Sequence, residues 1–513
     1  MPPTSPQPTV AIAGGGLAGL AAACALSNAG FRVTLLEKRP FLGGRASSYE
    51  HPGTGEVIDN CQHVLFRSCT NLIEFYRRIG VDQNIRWYDT MTFIEPGGRS
   101  TVMRTSMLPA PLHTAPSFWS FPFLTLTDKL AIARAMIPLM LTQQRDDGRS
   151  FQQWLDQHGQ SQRAIENFWK PILISALSED LDRVSISSAA QVVRVSMMSP
   201  AARHMGVPAV PLTELYDAAG EYIRARGGEL HFRRAIESFA SDDSQAKISS
   251  AGGEENFDYL ILALPFDALE RILIDTPDSA LLREKIAHFE TSPITGIHLW
   301  FDRQITDLDH AVLLNRTIQW MFHKSRLQQR GRESGKGSDA EIPESSETTI
   351  LYQREAQNTE LRGRAALQGR VGEGETAVAL APEGSYIELV VSASKSLIEK
   401  SRSEIVNLAL AEVREFFPGA REATLVKSTV VKELHATYSP RPAIDAYRPA
   451  SATPWPRVFL AGDWTATGWP ATMEGAVRSG YIAAEAIARA AGLPRAKFLA
   501  PDLSPTGLMR LFQ

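Results

Sequence analysis

Glycines 14, 16 and 19, in the run "TVAIAGGGLAGLAAACALSNAGFRVTLLEK", have the type and spacing to hold a phosphate. A β-rich run enters the turn, an Ala/Leu helix leaves it, Gly30 stops the helix, and a second β-rich run ends at Glu37. Gly14-x-Gly16-x-x-Gly19 supplies a tight turn, close backbone approach to a pyrophosphate, and tight helix–strand packing. The helix start at Leu17 and Ala18 offers free N–H groups and a partial positive charge to the phosphates. Glu37, followed by Lys38, comes about 20 residues later, where a carboxylate can bind ribose hydroxyls. The chemistry is dinucleotide binding.

Two further stretches suit the same ligand. In "KRPFLGGRASS", Gly43 and Gly44 let backbone pass close to it, and Arg45 is a fixed cation suited to phosphate. A surface turn with a solvated arginine is the plainer alternative. Near the other end stands "FLAGDWTATGWPATMEGAVRSG", residues Phe459 to Gly480. Here Gly462 and Asp463 follow a strand, and the carboxylate can accept hydrogen bonds from ribityl or ribose hydroxyls. Met473, Glu474, Gly475 and Val477 open a helix whose N-terminus would stabilise the negative charge of a reduced flavin. A helix that merely covers a sheet edge is the alternative. FAD is long enough to need its phosphates held by the first turn and its ring by the last helix, so both termini share one ligand.

The elements that must position these residues form an α/β fold. Residues 9–84, 211–289 and 426–495 are expected to make one discontinuous, Rossmann-like FAD-binding domain of the GR2 type, with a helix from about Thr472 to Ala491. In the middle block, short alternating strands are split by polar turns, and Tyr259–Leu264 is apolar throughout, as a strand buried on both faces would be. Residues 85–210 and 290–425 are expected to form a second, α+β domain for substrate. Within it, 325–375 reads as a mobile insertion, polar and without aromatics from 325 to 347. Residues 1–8 read as a disordered tail and 496–513 as a C-terminal tail.

The bulk numbers exclude several classes. A net charge of −4 provides no basic field for nucleic acid. Cys24, Cys61 and Cys69 have neither zinc spacing nor a disulfide framework, so no metal is expected and a reduced, cytoplasmic setting fits. No run of about 20 apolar residues could span a membrane.

GGGLAG…E…GGR at the front with FLAGDW…MEGAVRSG at the back resembles the flavin amine oxidase/phytoene desaturase superfamily. "DNCQHVLFRSCTNLIEFYRRIGV", "IQWMF" and "GDWTATGWPATMEGAVRSG" resemble, more closely, the bacterial hydroxysqualene dehydroxylases, formerly described as squalene-associated FAD-dependent desaturases. The likeness runs from Val10 to about Gln513, apart from the insertion. It implies FAD as cofactor, a C30 isoprenoid substrate, and reductive removal of the hydroxyl of hydroxysqualene to give squalene on the route to hopanoids, with an unidentified electron donor. It also implies that Gly14, Gly16, Gly19, Glu37, Gly44 and Arg45 hold the adenine–ribose–pyrophosphate part. Gly462, Asp463 and Met473 to Gly475 would hold the ring end, and Ile236 the adenine. Cys61 stands where a glycine is more usual.

Hydroxide is a poor leaving group, so the reaction needs an acid on oxygen and a hydride at carbon. His63 is the first candidate acid, oriented by Asp59 and Gln62; Tyr438 is the second. "PSFWSFPFLTLTDKLAIARAMIPLML" suggests peripheral contact with the inner face of the membrane through Phe118–Phe123, or else aromatic packing inside the second domain. An oxidative carotenoid or polyene desaturase, an amine oxidase, and a non-enzymatic prenyl-lipid escort protein are the competing functions.

Overall fold

The computed structural model describes residues 7–328 and 384–512, apart from 53, 54, 143 and 145. The tail expected over 1–8 and the insertion expected over 325–375 lie outside these residues, except at 7–8 and 325–328.

Apolar runs without alternation demand burial on both faces. Thr9–Ala13, Arg32–Glu37 and Tyr259–Leu262 receive it at the centre of a five-stranded parallel sheet. The strand order is Glu229–Phe232, Arg32–Glu37, Thr9–Ala13, Tyr259–Leu262, Val458–Leu460. Three distant stretches of chain therefore supply one sheet. Helix Leu17–Asn28, the crossover between its first two strands, is buried from Leu17 to Ser27. A Cβ on Gly480 would stand 2.2 Å from the Ala18 carbonyl oxygen. Only glycine allows helix Met473–Ala490 to come that close. The expected helix is present, with Thr472 and Ala491 as its caps. Polar turns divide Ile236–Ser241, Ala246–Ser250 and Gly253–Phe257 into an antiparallel sheet beside it.

A second sheet has seven strands, ordered Leu425–Tyr438, Thr291–Phe301, Ser385–Ser392, Trp320–His323, His310–Leu313, Thr90–Ile94, Ser100–Arg104. Every residue of Ser385–Ser392 is buried. Helices between Ala115 and Met197 cover this sheet, sharing a core that includes Phe121, Phe151, Trp169, Phe93 and Phe322. The expected division at 426 needs correction. Leu425–Tyr438 is hydrogen-bonded along Thr291–Phe301 and so belongs to the second sheet, reaching the first only at its end.

Candidate active site

A cavity of about 420 Å³ runs across the carboxyl ends of the parallel strands. Its first wall is backbone. Strand Thr9–Ala13 ends in Gly14 at φ +110°, where a Cβ would stand 2.4 Å from the Ala263 carbonyl oxygen. A Cβ on Gly19 would stand 1.9 Å from the Gly14 oxygen, so the helix start is pressed onto the turn. Gly16, Leu17 and Ala18 line the cavity above it; Gly19 does not line it and acts through packing. Glu37 is buried and accepts hydrogen bonds from the amides of Gly15 (2.7 Å) and Arg39 (2.7 Å). Each carboxylate oxygen retains a lone pair for a ribose hydroxyl. Lys38 and Ile236 line the same stretch.

Gly43 and Gly44 close the turn onto the first glycines: Gly43 N–H donates to the Gly15 carbonyl at 2.9 Å. Arg45 then crosses to the far end of the chain. Its guanidinium donates to Asp463 Oδ1 at 2.5 Å and to the Ala436 carbonyl at 3.2 Å. The residues expected at opposite ends of one ligand are thus in direct contact. Gly462, Asp463, Thr472 and Met473 complete the wall. Thr472 Oγ1 accepts from Gly475 N–H at 3.1 Å, and Ser479 Oγ accepts from Gly462 N–H at 2.8 Å. A long groove bounded by glycine backbone, a ribose-ready carboxylate and a helix start fits a dinucleotide such as FAD.

Three expected cofactor contacts are placed differently. The Glu474 carboxylate is fully buried and accepts from the amides of Asn71 (3.2 Å) and Leu72 (2.8 Å), from the Asn71 side chain (2.9 Å), and from Arg478 (2.8 Å). It clamps the start of helix Thr70–Arg78 and faces away from the groove. Val477 packs in the core beneath the parallel sheet. Gly475 lets the 470 loop cross, since a Cβ there would lie 2.6 Å from the Pro470 oxygen.

A second cavity, about 350 Å³, opens from the first. Cys61, His63, Ser178, Ile294, Ala471, Thr472 and Met473 line both, forming a seam between them. Beyond the seam the walls are mainly apolar, with Phe66, Met91, Phe93, Phe168, Trp320 and Phe322, and carry a few polar residues, among them Ser175, Gln191 and Arg203. Trp320 and Phe322 face this chamber by strand alternation, while Met321 between them packs in the opposite core.

The expected acids need correction. His63 does stand at the seam, but burial holds its ring below the usual histidine range. Its Nδ1–H donates to the Cys61 carbonyl at 2.7 Å, since a carbonyl can only accept. The neutral ring therefore presents an Nε2 lone pair and is an acceptor, not a proton donor. Asp59 does not orient it. Asp59 accepts from Ser48 Oγ (2.5 Å), Leu212 N–H (3.2 Å) and Lys324 Nζ (2.6 Å), all buried. Burial pushes its carboxyl up, but Lys324 and these hydrogen bonds more than offset that and hold it below the usual range. Tyr438 lines neither cavity; it packs edge-on to Phe289 in the core behind the groove. Burial pushes its phenol well above the ordinary tyrosine value.

Phe121 and Phe123 are buried edge-to-face in the core, and Phe118 packs on Phe168 of the chamber wall. The aromatic run therefore builds the chamber's outer layer, with Trp119 at 43 % exposure its outward member. Lys324, Glu388 and Ser178 carry no signal as site residues in the sequence, because no local spacing marks a side chain that folding brings in from a distant segment. Among the described residues no cluster could hold a metal ion, and no helix is long and apolar enough to cross a membrane.

A family model described as flavin containing amine oxidoreductase matches residues 17–488. The 15-cis-phytoene desaturase of Synechococcus elongatus is 26 % identical over 499 residues, covering 93 % of this chain and 95 % of its own. The zeta-carotene desaturase of Synechocystis is likewise 26 % identical, with 93 % and 96 % covered. Among solved structures, putrescine oxidase bound to putrescine superposes with a TM-score of 0.65 at 17 % identity, covering 94 % of this chain and 99 % of the other. Cyclohexylamine oxidase from Brevibacterium oxydans does so at 0.62 and 15 %, with 95 % and 100 % covered. At these identities the structures share the fold.

Proposed function

We propose, from the premise that this chain belongs to the flavin containing amine oxidoreductase family, that it is an FAD-dependent oxidoreductase acting on hydroxysqualene. FAD supplies a two-electron hydride carrier in the groove. The observation carrying this reading is the seam: His63, with Nε2 left as an acceptor, stands at the mouth of a chamber walled mainly by apolar and aromatic side chains, with a few polar ones such as Ser175, Gln191 and Arg203 among them. Few polar groups in a largely apolar cavity fix a ligand's orientation. A long hydrocarbon with a single hydroxyl suits this arrangement, its O–H donating to His63 and its chain lying against Phe66, Phe93, Trp320 and Phe322. With the flavin reduced by a separate two-electron donor, a hydride to the carbon and a proton from solvent to the departing oxygen would give squalene and water. His63 orients the hydroxyl, and the aromatic faces tolerate positive charge developing at an allylic carbon.

A second reading, oxidative desaturation of a polyene, is favoured by the names of the carotenoid desaturases that the chain resembles. The two reactions run in opposite redox directions. Anaerobic, reduced holoenzyme mixed with hydroxysqualene is expected to reoxidise and to yield squalene in stoichiometric amount. No reoxidation, together with dehydrogenation of phytoene by oxidised enzyme, would replace the first reading with the second.

Such a substrate resides in lipid, and we place its entry beside helix Leu126–Leu141 rather than at Phe118–Phe123. Leu126, Leu130, Ile137 and Leu141 are exposed along this helix, and Met136 of the same helix lines the chamber. Of the charged residues from 100 to 142, the exposed ones are Arg104 and Arg134; Asp128 is buried as part of the helix cap. Exposed apolar side chains on a helix whose exposed charges are cationic suit an anionic bilayer surface. Leu126→Asp/Leu130→Asp/Ile137→Asp is expected to stop flotation with anionic liposomes while FAD content stays unchanged; retained flotation would reject this face.

A further inference from the structure

Residues Asp59 to His63 form a strap that divides its side chains between two sides. Cys61 and His63 face the seam. Asn60 holds the Arg45 turn, donating to the Arg45 carbonyl at 2.8 Å and accepting from Ser47 N–H at 3.2 Å. Asp59 and Gln62 turn to one ammonium: Lys324 Nζ donates to Asp59 Oδ2 at 2.6 Å and to Gln62 Oε1 at 2.9 Å, while Gln62 also borders the chamber. The strap lies flat on strand Thr291–Phe301, because a Cβ on Gly296 would stand only 3.0 Å from the Asn60 oxygen.

Behind Lys324 lies a second carboxylate. Glu388 Oε2 is 3.5 Å from Nζ, and the backbone N–H of Gln62 on the strap also faces this carboxyl. The Lys324, Asp59 and Glu388 side chains are 5 %, 2 % and 0 % exposed. The groups facing Glu388 are Lys324, Asp59, the Cys61 thiol, His298 on the adjacent strand, and Tyr386 on its own strand. Burial pushes Glu388 up to about 8 and His298 down to about 3, so near neutrality the carboxyl keeps its proton and the imidazole is neutral. Lys324 is then balanced by Asp59 alone.

Replacing a buried ion pair by well-packed apolar residues is often neutral or stabilising, so the role of this pair is sought in geometry and not in stability. We propose that Lys324 is a positioning residue for the active site: by gripping Asp59 and Gln62 from behind, it sets where Cys61 and His63 stand between groove and chamber. The inference rests on the flavin groove and the seam, and is independent of which isoprenoid reacts.

The test uses the FAD holoenzyme and two readouts other than turnover. One is the visible circular dichroism of the bound flavin. The other is the rate at which N-ethylmaleimide modifies Cys61, located by peptide mass spectrometry. Lys324→Met leaves Asp59 without a counter-charge and can fail to fold. Asp59→Asn/Lys324→Met carries no orphaned charge, and Gln62→Leu removes one handle without touching a charge. Both are expected to alter the flavin band and to speed Cys61 modification about fivefold or more, as a loosened local segment opens more often. Lys324→Arg, which keeps the charge and the donors, should restore most of the wild-type signal. Wild-type dichroism and an unchanged Cys61 rate in Gln62→Leu, or in the double variant, would overturn the proposal.

Discussion

The two cavities that meet at the seam are made of different material. The cofactor groove is made of backbone: glycine turns, amide donors and a helix start, with Glu37, Arg45 and Asp463 as its few essential side chains. The chamber is made of side chains delivered from many separate segments, from Phe66 and Phe93 to Phe168, Trp320 and Phe322. Backbone geometry tolerates almost no added volume, whereas a side-chain wall can be re-cut one residue at a time. A fold built this way can keep one coenzyme while changing its substrates.

That contrast predicts its largest effect at Gly19. In Gly19→Val the Cβ alone would stand 1.9 Å from the Gly14 carbonyl oxygen, a clash of backbone against side chain with no room for relief. A loss well above about 3 kcal/mol is expected, with no flavin retained on purification. In the chamber, Phe322→Leu should leave flavin content unchanged and alter only KM and the substrate preference. Yellow, stable Gly19→Val protein would show that the turn is not packed as described.

The next effect depends on pH and belongs to the buried charged cluster behind the seam. Because burial raises Glu388 from 4.5 to about 8, the fold binds that proton more tightly than the unfolded chain does. This stabilisation is fully present below about 4.5 and is lost as pH rises through about 8. Glu388→Gln carries no titrating group, so its stability profile should be flatter over that window by on the order of a few kcal/mol. Chemical denaturation of wild type and variant at pH 5 and pH 9 measures the difference; parallel profiles would mean that Glu388 is not held protonated.

A smaller effect is expected where groove and chain ends are joined. Asp463→Ala removes the partner of Arg45, whose side chain is one-third exposed and can turn to water. Loss of one charge-assisted pair of this kind should weaken FAD binding roughly tenfold to thirtyfold, about 1–2 kcal/mol, with the fold intact. Titration of apoprotein with FAD reads it directly.

The same difference in material explains what the sequence disclosed. Gly14, Gly16, Gly19 and Glu37 could be placed because their spacing is the backbone path itself, over a single strand–turn–helix–strand unit. Arg45 and Asp463 could be linked because FAD's length demands it. Glu474 misled for a physical reason. A carboxylate in the first turn of a helix suits that helix's own N-terminus, but this one turns outward to cap a second helix at Asn71 and Leu72. Phe121 and Phe123 left two readings open because an aromatic run reads alike whether it meets lipid or core, and the structure puts both in the core. Lys324 and Glu388 gave no signal at all. A lysine following an apolar strand and a glutamate within one acquire meaning only when sheet pairing brings them to Asp59, 265 positions from Lys324 along the chain.

The smallest effect should be at Tyr438, and it tests where the groove ends. Its neighbours on the strand, Ala436 and Thr437, line the groove, but Tyr438 itself is turned inward. Its ring lies edge-on to Phe289 at 5.5 Å, with the Arg448 guanidinium 5.5 Å from the ring centre on another side. Tyr438→Phe keeps the ring, and with it the packing and nearly all of the cation–π attraction. Stability and turnover should each change by less than about 0.5 kcal/mol, within a factor of roughly two to three in rate. A tenfold fall in turnover with flavin content unchanged would instead put the phenol in contact with the reaction. The seam would then extend through the strand end at 436–438, and the core wall behind the groove would have to be counted as part of the active site.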